Sequence, residues 1–276
     1  VKVGKNRNGS SPKEIADLTI QKGIEKANTP TLSVCLLGFL GGAFIALGYL
    51  ANLRLTGNAP AEWGSFKTFI GASVFPIGLI MILLGGGELL TGNMMAVSMA
   101  VFAKKVKFAA LVKNWSLVAL SNLVGALFIA YLFGHVLGLT EGAYLANTVA
   151  IAEAKVADSF WLAFVSGIGC NWLVGMAVWL SYGTKDFAGK ILAIWFPTMT
   201  FVLIGFQHVV ANMFIIPAAI FIGELTWLDF LSNVIPVFLG NSTGGSIMVS
   251  LIYFMAYKKG AIQEKGLAAV NKRKIS

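Results

Sequence analysis

Gly86-Gly87-Glu88-Leu89-Leu90-Thr91-Gly92-Asn93-Met94 and Gly205-Phe206-Gln207-His208-Val209-Val210-Ala211-Asn212-Met213 lie 119 positions apart, each deep inside an apolar run. Both place glycine and polar residues ahead of an Asn-Met pair. A glycine-bearing polar interruption is costly in a lipid-buried helix, because the freed backbone groups need partners that hydrocarbon does not supply. Two such interruptions in matching places point to a pore or a substrate path.

The runs around them are Phe69 to Phe102 and Ile191 to Ile222, 34 and 32 residues long. As straight helices they would extend roughly 50 Å, against a hydrocarbon core of about 30 Å. Each is therefore expected to be a broken helix, with the polar motif at the break and Pro76 and Pro197 upstream as further kinks.

Four more apolar segments are long enough to span: Thr31 to Leu53, Trp115 to Leu139, Phe160 to Tyr182 and Phe230 to Tyr257. None of the six segments contains Lys, Arg or Asp, and Glu88 is their only carboxylate. The 276 residues are 57% hydrophobic and 12% charged, with a mean hydropathy of +0.78. A soluble domain has roughly 25% charged residues. The chain reads as a polytopic protein of the lipid bilayer.

The 119-residue offset also pairs Asn114 with Asn233, Asn122 with Asn241 and Gly125 with Gly244. Spans one and four align less clearly, at an offset of 127 that brings Gly42 to Gly169 and Gly48 to Gly175. Two three-span halves with an odd span count per half are inverted relative to one another, which sets a path at the pseudo-two-fold interface. The small-residue pairs Gly38/Gly42 and Gly240/Gly244 suit close helix packing.

The net charge of +9 does not imply a nucleic-acid partner once the cations are placed on this map. Of the 21 Lys and Arg, only Arg54, Lys67 and Lys155 fall on one side; the rest lie before span one, at Lys104 to Lys113, at Lys185 and Lys190, and after span six. By the positive-inside rule both termini are expected in the cytoplasm, and a multi-pass protein of the plasma membrane is the expected localisation. The opposite side carries Glu62, Glu141, Glu153, Asp158, Glu224 and Asp229, so an anion would be drawn there by local groups such as Lys155 or half-helix dipoles.

Residues 1–30 read as a cytoplasmic segment without the apolar core of a secretory signal, 31–257 as the six-span channel domain, and 258–276 as a basic cytoplasmic tail. Ser11-Pro12-Lys13-Glu14 is a helix start with a capping box, and Ile15, Leu18, Ile20 and Ile24 give the helix an apolar stripe. It is expected along the membrane surface or at the pore mouth, as an anchor or as a gate.

His208 is the one ionisable residue of span five, and intramembrane ionisable groups usually face water or a partner. It can donate a hydrogen bond or a proton to a passing anion, or serve as a structural residue bonded to a carbonyl. Thr91, on the opposing break, could orient the imidazole. Glu88 aligns with Gln207 and is expected to accept from backbone donors; Asn93 and Asn212 are expected to satisfy free backbone at the two breaks. His135 reads as structural. Cys35 and Cys170 are isolated thiols without disulfide or metal-ligand spacing, and no cofactor or metal motif is present. Gly240-Asn241-Ser242-Thr243-Gly244 has nucleophile-elbow spacing but opens an apolar span instead of a strand-to-helix turn. With no paired carboxylates either, an enzyme would have little to work with.

Three motifs together carry a resemblance: Gly86-Gly87-Glu88-Leu89-Leu90-Thr91-Gly92, Cys170-Asn171-Trp172-Leu173-Val174, and Gly205-Phe206-Gln207-His208 through Ala211-Asn212-Met213. The chain resembles the formate/nitrite transporter family from about residue 11 to 257. The resemblance implies an all-α membrane protein of aquaporin-like protomers, with six helices in two inverted repeats and spans two and five broken. It also implies a homopentamer that conducts small monovalent anions. By motif, it implies a central His208 near Thr91 and a slit at Leu89 or Leu90 on the cytoplasmic side. Phe75, Leu79 and Phe201 would form the remaining constrictions, and Lys155 and Asn171 would attract the anion. Family members often carry an aromatic residue where Leu90 stands and a second Cys where Gly175 stands, which bears on selectivity. Formate or nitrite is the expected substrate, with hydrosulfide or a short monocarboxylate as a variant. A neutral-solute channel of the aquaporin kind is the alternative from another class; the chain lacks Asn-Pro-Ala pairs and an intramembrane Arg.

Overall fold

The computed structural model describes residues 9–259, apart from the side chains of residues 61 and 259. The first eight residues and the expected basic tail beyond 259 lie outside the described residues. Helix α1 (Pro12–Asn28) begins at Ser11 with the capping box in place: the Ser11 hydroxyl accepts from Glu14 N–H, and Glu14 accepts from Ser11 N–H at 2.7 Å. Span one is α2 (Thr31–Gly57). Span two descends as α3 (Ser65–Val74), kinks at Pro76, continues through α4 (Ile77–Ile80) and a π-turn to Gly86, and resumes as α5 (Leu90–Phe102). Span three is α6 (Phe108–Phe128) with a π-helical end to Val136.

A short helix, α7 (Leu145–Val156), precedes span four, α8 (Phe160–Tyr182). Span five is α9 (Phe187–Ile204) followed by α10 (Val209–Phe221), and span six is α11 (Trp227–Thr243) with a π-helical continuation to Leu251. Among the described residues six helices are long and apolar enough to cross a membrane, and the two half-helices α5 and α10 complete the broken spans. Breaks in spans two and five therefore stand as the lengths required. Span three starts seven residues before its expected boundary and takes in the exposed Lys113, whose long apolar stem can lie along a helix while its ammonium reaches water.

The halves repeat in their contacts as well as their sequence. A β-carbon on Gly125 would overlap the carbonyl oxygen of Phe39, and one on Gly244 would overlap that of Ile168. The Asn122 amide donates to Gly38 O at 2.7 Å, and the Asn241 amide to Gly167 O at 2.8 Å. Both comparisons relate span one to span four by 129 positions, correcting the offset of 127 suggested by glycine matching. The starts of the two helices, Thr31 and Phe160, keep the same interval. The extra ten residues relative to the 119 offset lie in the longer connection from span one to span two. Glycines are frequent enough in this chain for two of them to match in the wrong register.

The half-helices are the core. Every residue of α5 from Leu90 to Ala100, and of α10 from Val209 to Ala219, is buried. Outward faces are bare apolar side chains, including Leu32, Phe108, Trp161 and Leu228, each 69% to 75% exposed, as lipid contact requires. α1 buries Ile15, Ala16 and Ile20 against Met95, Met99, Val178 and Trp179, so it docks beneath α5 and α8. Its expected apolar stripe meets protein on that side.

Candidate functional site: the crossing of the two broken helices

At each break, the resuming half-helix starts with N–H groups that have no partner in the preceding turn. Asparagines from the following spans supply the partners. Asn122 Oδ1 accepts from Leu90 N–H at 2.9 Å, and its Nδ2 donates to Glu88 O at 2.8 Å. In the other half Asn241 Oδ1 accepts from Val209 N–H at 2.9 Å, and its Nδ2 donates to Gln207 O at 3.0 Å. Asn122 and Asn241 are both fully buried. Asn122 and Asn241 correspond in the repeat, whereas Asn93 and Asn212, the residues expected to satisfy the freed backbone, bond side chains instead. Asn93 donates to Glu88 Oε2 (2.6 Å) and Asn114 Oδ1 (2.9 Å); Asn212 donates to Gln207 Oε1 (2.7 Å) and Asn233 Oδ1 (2.8 Å).

Glu88 likewise bonds side chains where backbone donors were expected. Its other oxygen accepts from Lys26 Nζ at 2.8 Å, and the pair is largely shielded, with side chains 17% and 10% exposed. Gln207 donates to Asp158 at 2.6 Å and to Lys155 O at 3.2 Å. Asn114 donates to Lys26 O and Asn233 to Lys155 O, so α1 and α7 are counterparts that bring Lys26 and Lys155 to corresponding places. Their separation is again 129 positions. Lys26 is not among the site residues expected from the sequence, although the correct offset matches it to Lys155.

His208 caps α10: its Nδ1 accepts from Ala211 N–H at 3.2 Å. A ring nitrogen that accepts carries no proton, so the proton of the neutral ring sits on Nε2. Thr91 Oγ1 lies 3.0 Å from that Nε2, joining the first turns of α5 and α10. The ring also stacks on Phe201 at 5.7 Å between centroids. Gly205 closes α9 at φ +88°, a left-handed backbone that suits glycine. The N-terminal ends of both half-helices converge here, and their dipoles favour negative charge.

A cavity of about 390 Å³ opens on the face opposite α1 and reaches inward past Phe75 and Phe201 to His208. These two rings pack edge-on, 5.6 Å apart. On the side of α1, a narrow space of about 10 Å³ is lined by Lys26, Leu79, Leu89, Asn93 and Tyr182. Leu79 thus stands with Leu89, away from Phe75 and Phe201. Leu90 is fully buried and lines neither cavity. Lys155 lines the larger cavity, its Nζ 3.4 Å from Gly205 O; burial lowers its pKa, with nearby Asp158 opposing the shift. Asn171 lines neither cavity, and its amide donates to Asn241 O at 2.7 Å and Thr91 O at 3.2 Å. His135 pairs with Glu141 at 2.6 Å at the end of span three.

The sequence profile described as "Formate/nitrite transporter" matches residues 13–255. The chain is 56% identical over 261 residues to the "Uncharacterized transporter YrhG" of Bacillus subtilis (strain 168), covering 94% of this chain and 98% of that one. It is 54% identical over 248 residues to the "Formate channel BtFdhC" of Bacillus thuringiensis, covering 90% and 96%. A solved structure titled "Pentameric formate channel with formate bound" superposes with a TM-score of 0.74 at 28% identity, over 82% of this chain and 97% of that one. With its six spans, two broken helices and matched motifs, the chain belongs to the formate/nitrite transporter family.

Proposed function

We propose that each protomer passes small monovalent anions, formate or nitrite foremost, between the two cavities, with His208 offsetting the anion's charge at the crossing. The observation that carries this is the Thr91–His208 contact at 3.0 Å, held between the apolar pairs Phe75/Phe201 and Leu79/Leu89. A bare anion between dry walls pays a large desolvation cost. Two half-helix N-termini and an imidazole N–H reduce it. The capping bond at Nδ1 makes hydrogen-bond donation from Nε2 the favoured mode, because full proton donation would need an imidazolium, and that would cost the cap to Ala211. The same path would accept hydrosulfide or a short monocarboxylate.

The pentamer named in the neighbour's title supports a homopentamer here, and the cation distribution supports a plasma-membrane orientation with both termini in the cytoplasm. On that orientation α1 and the Leu79/Leu89 slit face the cytoplasm, with Lys155 in the opposite vestibule. The test is uptake by proteoliposomes carrying the chain or His208→Asn, comparing formate, nitrite, hydrosulfide and lactate between about pH 5 and 8. Saturable formate or nitrite flux whose pH dependence changes in the variant is expected. Absence of flux for all four anions would overturn the proposal.

A further inference from the structure

Among the described residues, the larger cavity is lined by two lysines, Lys67 and Lys155, and by no carboxylate. Its polar side chains divide by whether the protein already bonds them. Thr56, Asn147, Lys155, His208 and Asn212 are each held by hydrogen bonds to protein. Among the described residues, the side-chain polar groups of Tyr49, Asn52, Lys67 and Thr68 have no hydrogen-bond or ion-pair partner, and all four come from α2 and α3.

Asn52 is the telling member. It is only 8% exposed, and its amide, which bonds no protein group, keeps its polar atoms open to the cavity, where a ligand can reach them. Its place against α3 depends on Gly71, where a β-carbon would stand 2.8 Å from Asn52 Nδ2 and 2.6 Å from Thr56 Cγ2. Lys67 is one turn above Gly71 on the same helix, and Phe75 is one turn below it. An amide donor and an ammonium thus border one stretch of wall directly above the Phe75/Phe201 pair.

We infer that Asn52 and Lys67 form an anion subsite at the mouth of the path, separate from His208, that takes a small planar carboxylate. The Asn52 N–H donates to one oxygen, and Lys67 supplies the charge. The subsite deepens the transport reading and rests on it: an anion held here has shed part of its water before meeting the aromatic pair.

The experiment is chemical protection of a cysteine placed beside the subsite. Thr68→Cys in the full chain, in proteoliposomes, is reacted with a membrane-impermeant anionic thiol reagent, in sodium formate or in sodium chloride of equal ionic strength. The chain without the substitution gives the background from Cys35 and Cys170. Formate is expected to slow the reaction beyond chloride. The half-protecting concentration should rise about tenfold when Lys67→Gln or Asn52→Leu is added, one charged or buried hydrogen bond being lost in each. Lys67 is only partly buried, so its replacement keeps the test valid if the Asn52 variant fails to fold. No protection beyond chloride, or protection unchanged in Lys67→Gln, overturns the subsite. Formate flux on the same vesicles reads the transport proposal separately, since protection requires binding alone.

Discussion

Replacing Asn122 with Ala removes the partner of two backbone groups at the first break, Leu90 N–H and Glu88 C=O. Gly38 C=O, the third group, keeps its place in the hydrogen-bond ladder of α2. A buried polar group left unpaired costs about 1–3 kcal/mol, so the loss should be about 2–6 kcal/mol. Asn241→Ala orphans Val209 N–H and Gln207 C=O in the same way and should cost the same to within about 1 kcal/mol. Asn122→Asp preserves volume and the acceptor for Leu90, but turns an oxygen toward two carbonyls and should not rescue. Ser121→Ala is the control: its hydroxyl bonds only Leu117 O one turn back, and a change within about 0.5 kcal/mol is expected. Thermal unfolding of the detergent-purified variants measures all four. If Asn122→Ala unfolds with Ser121→Ala, the asparagine does not hold the break. If the two asparagine variants differ widely, the halves are not energetic equivalents.

Lys26→Met should destabilise by about 3–5 kcal/mol, since it strands a shielded carboxylate at Glu88, and adding Glu88→Gln should restore most of the loss; a single variant as stable as the parent in the same unfolding assay would refute this. The lowered pKa of Lys155 means that its ammonium loses its proton below the pH at which a free lysine does. Formate flux should therefore decline as pH rises, ahead of the ordinary lysine range near ~10.4, and Lys155→Arg should extend the plateau upward. Flux with the same alkaline limb in both would show that this cation does not attract the anion.

The architecture was readable in the sequence because membrane insertion leaves coarse signs. Charge-free runs mark spans, and runs longer than the bilayer with polar centres mark breaks. The partners of the breaks were not readable, although Asn114, Asn122, Asn233 and Asn241 all stood out in the repeat. Which asparagine meets which backbone group depends on how spans three and six pack, with Gly125 and Gly244 letting the backbones touch. Spacing along one helix does not carry that. The same limit separated Leu90 from Leu89: adjacent residues at a helix start point in different directions, and only Leu89 lines the narrow space. Asn171 was singled out by its motif, yet its amide is taken up by carbonyls of Thr91 and Asn241.

The two halves share the asparagine contacts at their breaks, so their differences are informative. Where the first half sets Glu88 against Lys26, the second sets Gln207 against Asp158, leaving Lys155 without a carboxylate at bonding distance. The first arrangement cancels a cation beside a space of about 10 Å³; the second leaves a cation lining one of about 390 Å³. Closure and charge cancellation thus occur together on the side of α1. On the proposed path, an anion leaving His208 toward α1 would meet the amine of Lys26 already bound to Glu88 and would have to compete for it or pass beside it. The pair ties α1 to Glu88, the neighbour of Leu89, which on the proposed path lines the narrow slit, so movement that frees Lys26 would remove one tie beside that slit. The Lys26→Met/Glu88→Gln double variant separates the two roles: it removes the tie without stranding a charge, so faster formate flux through a stable protein would mean that the pair restrains the slit.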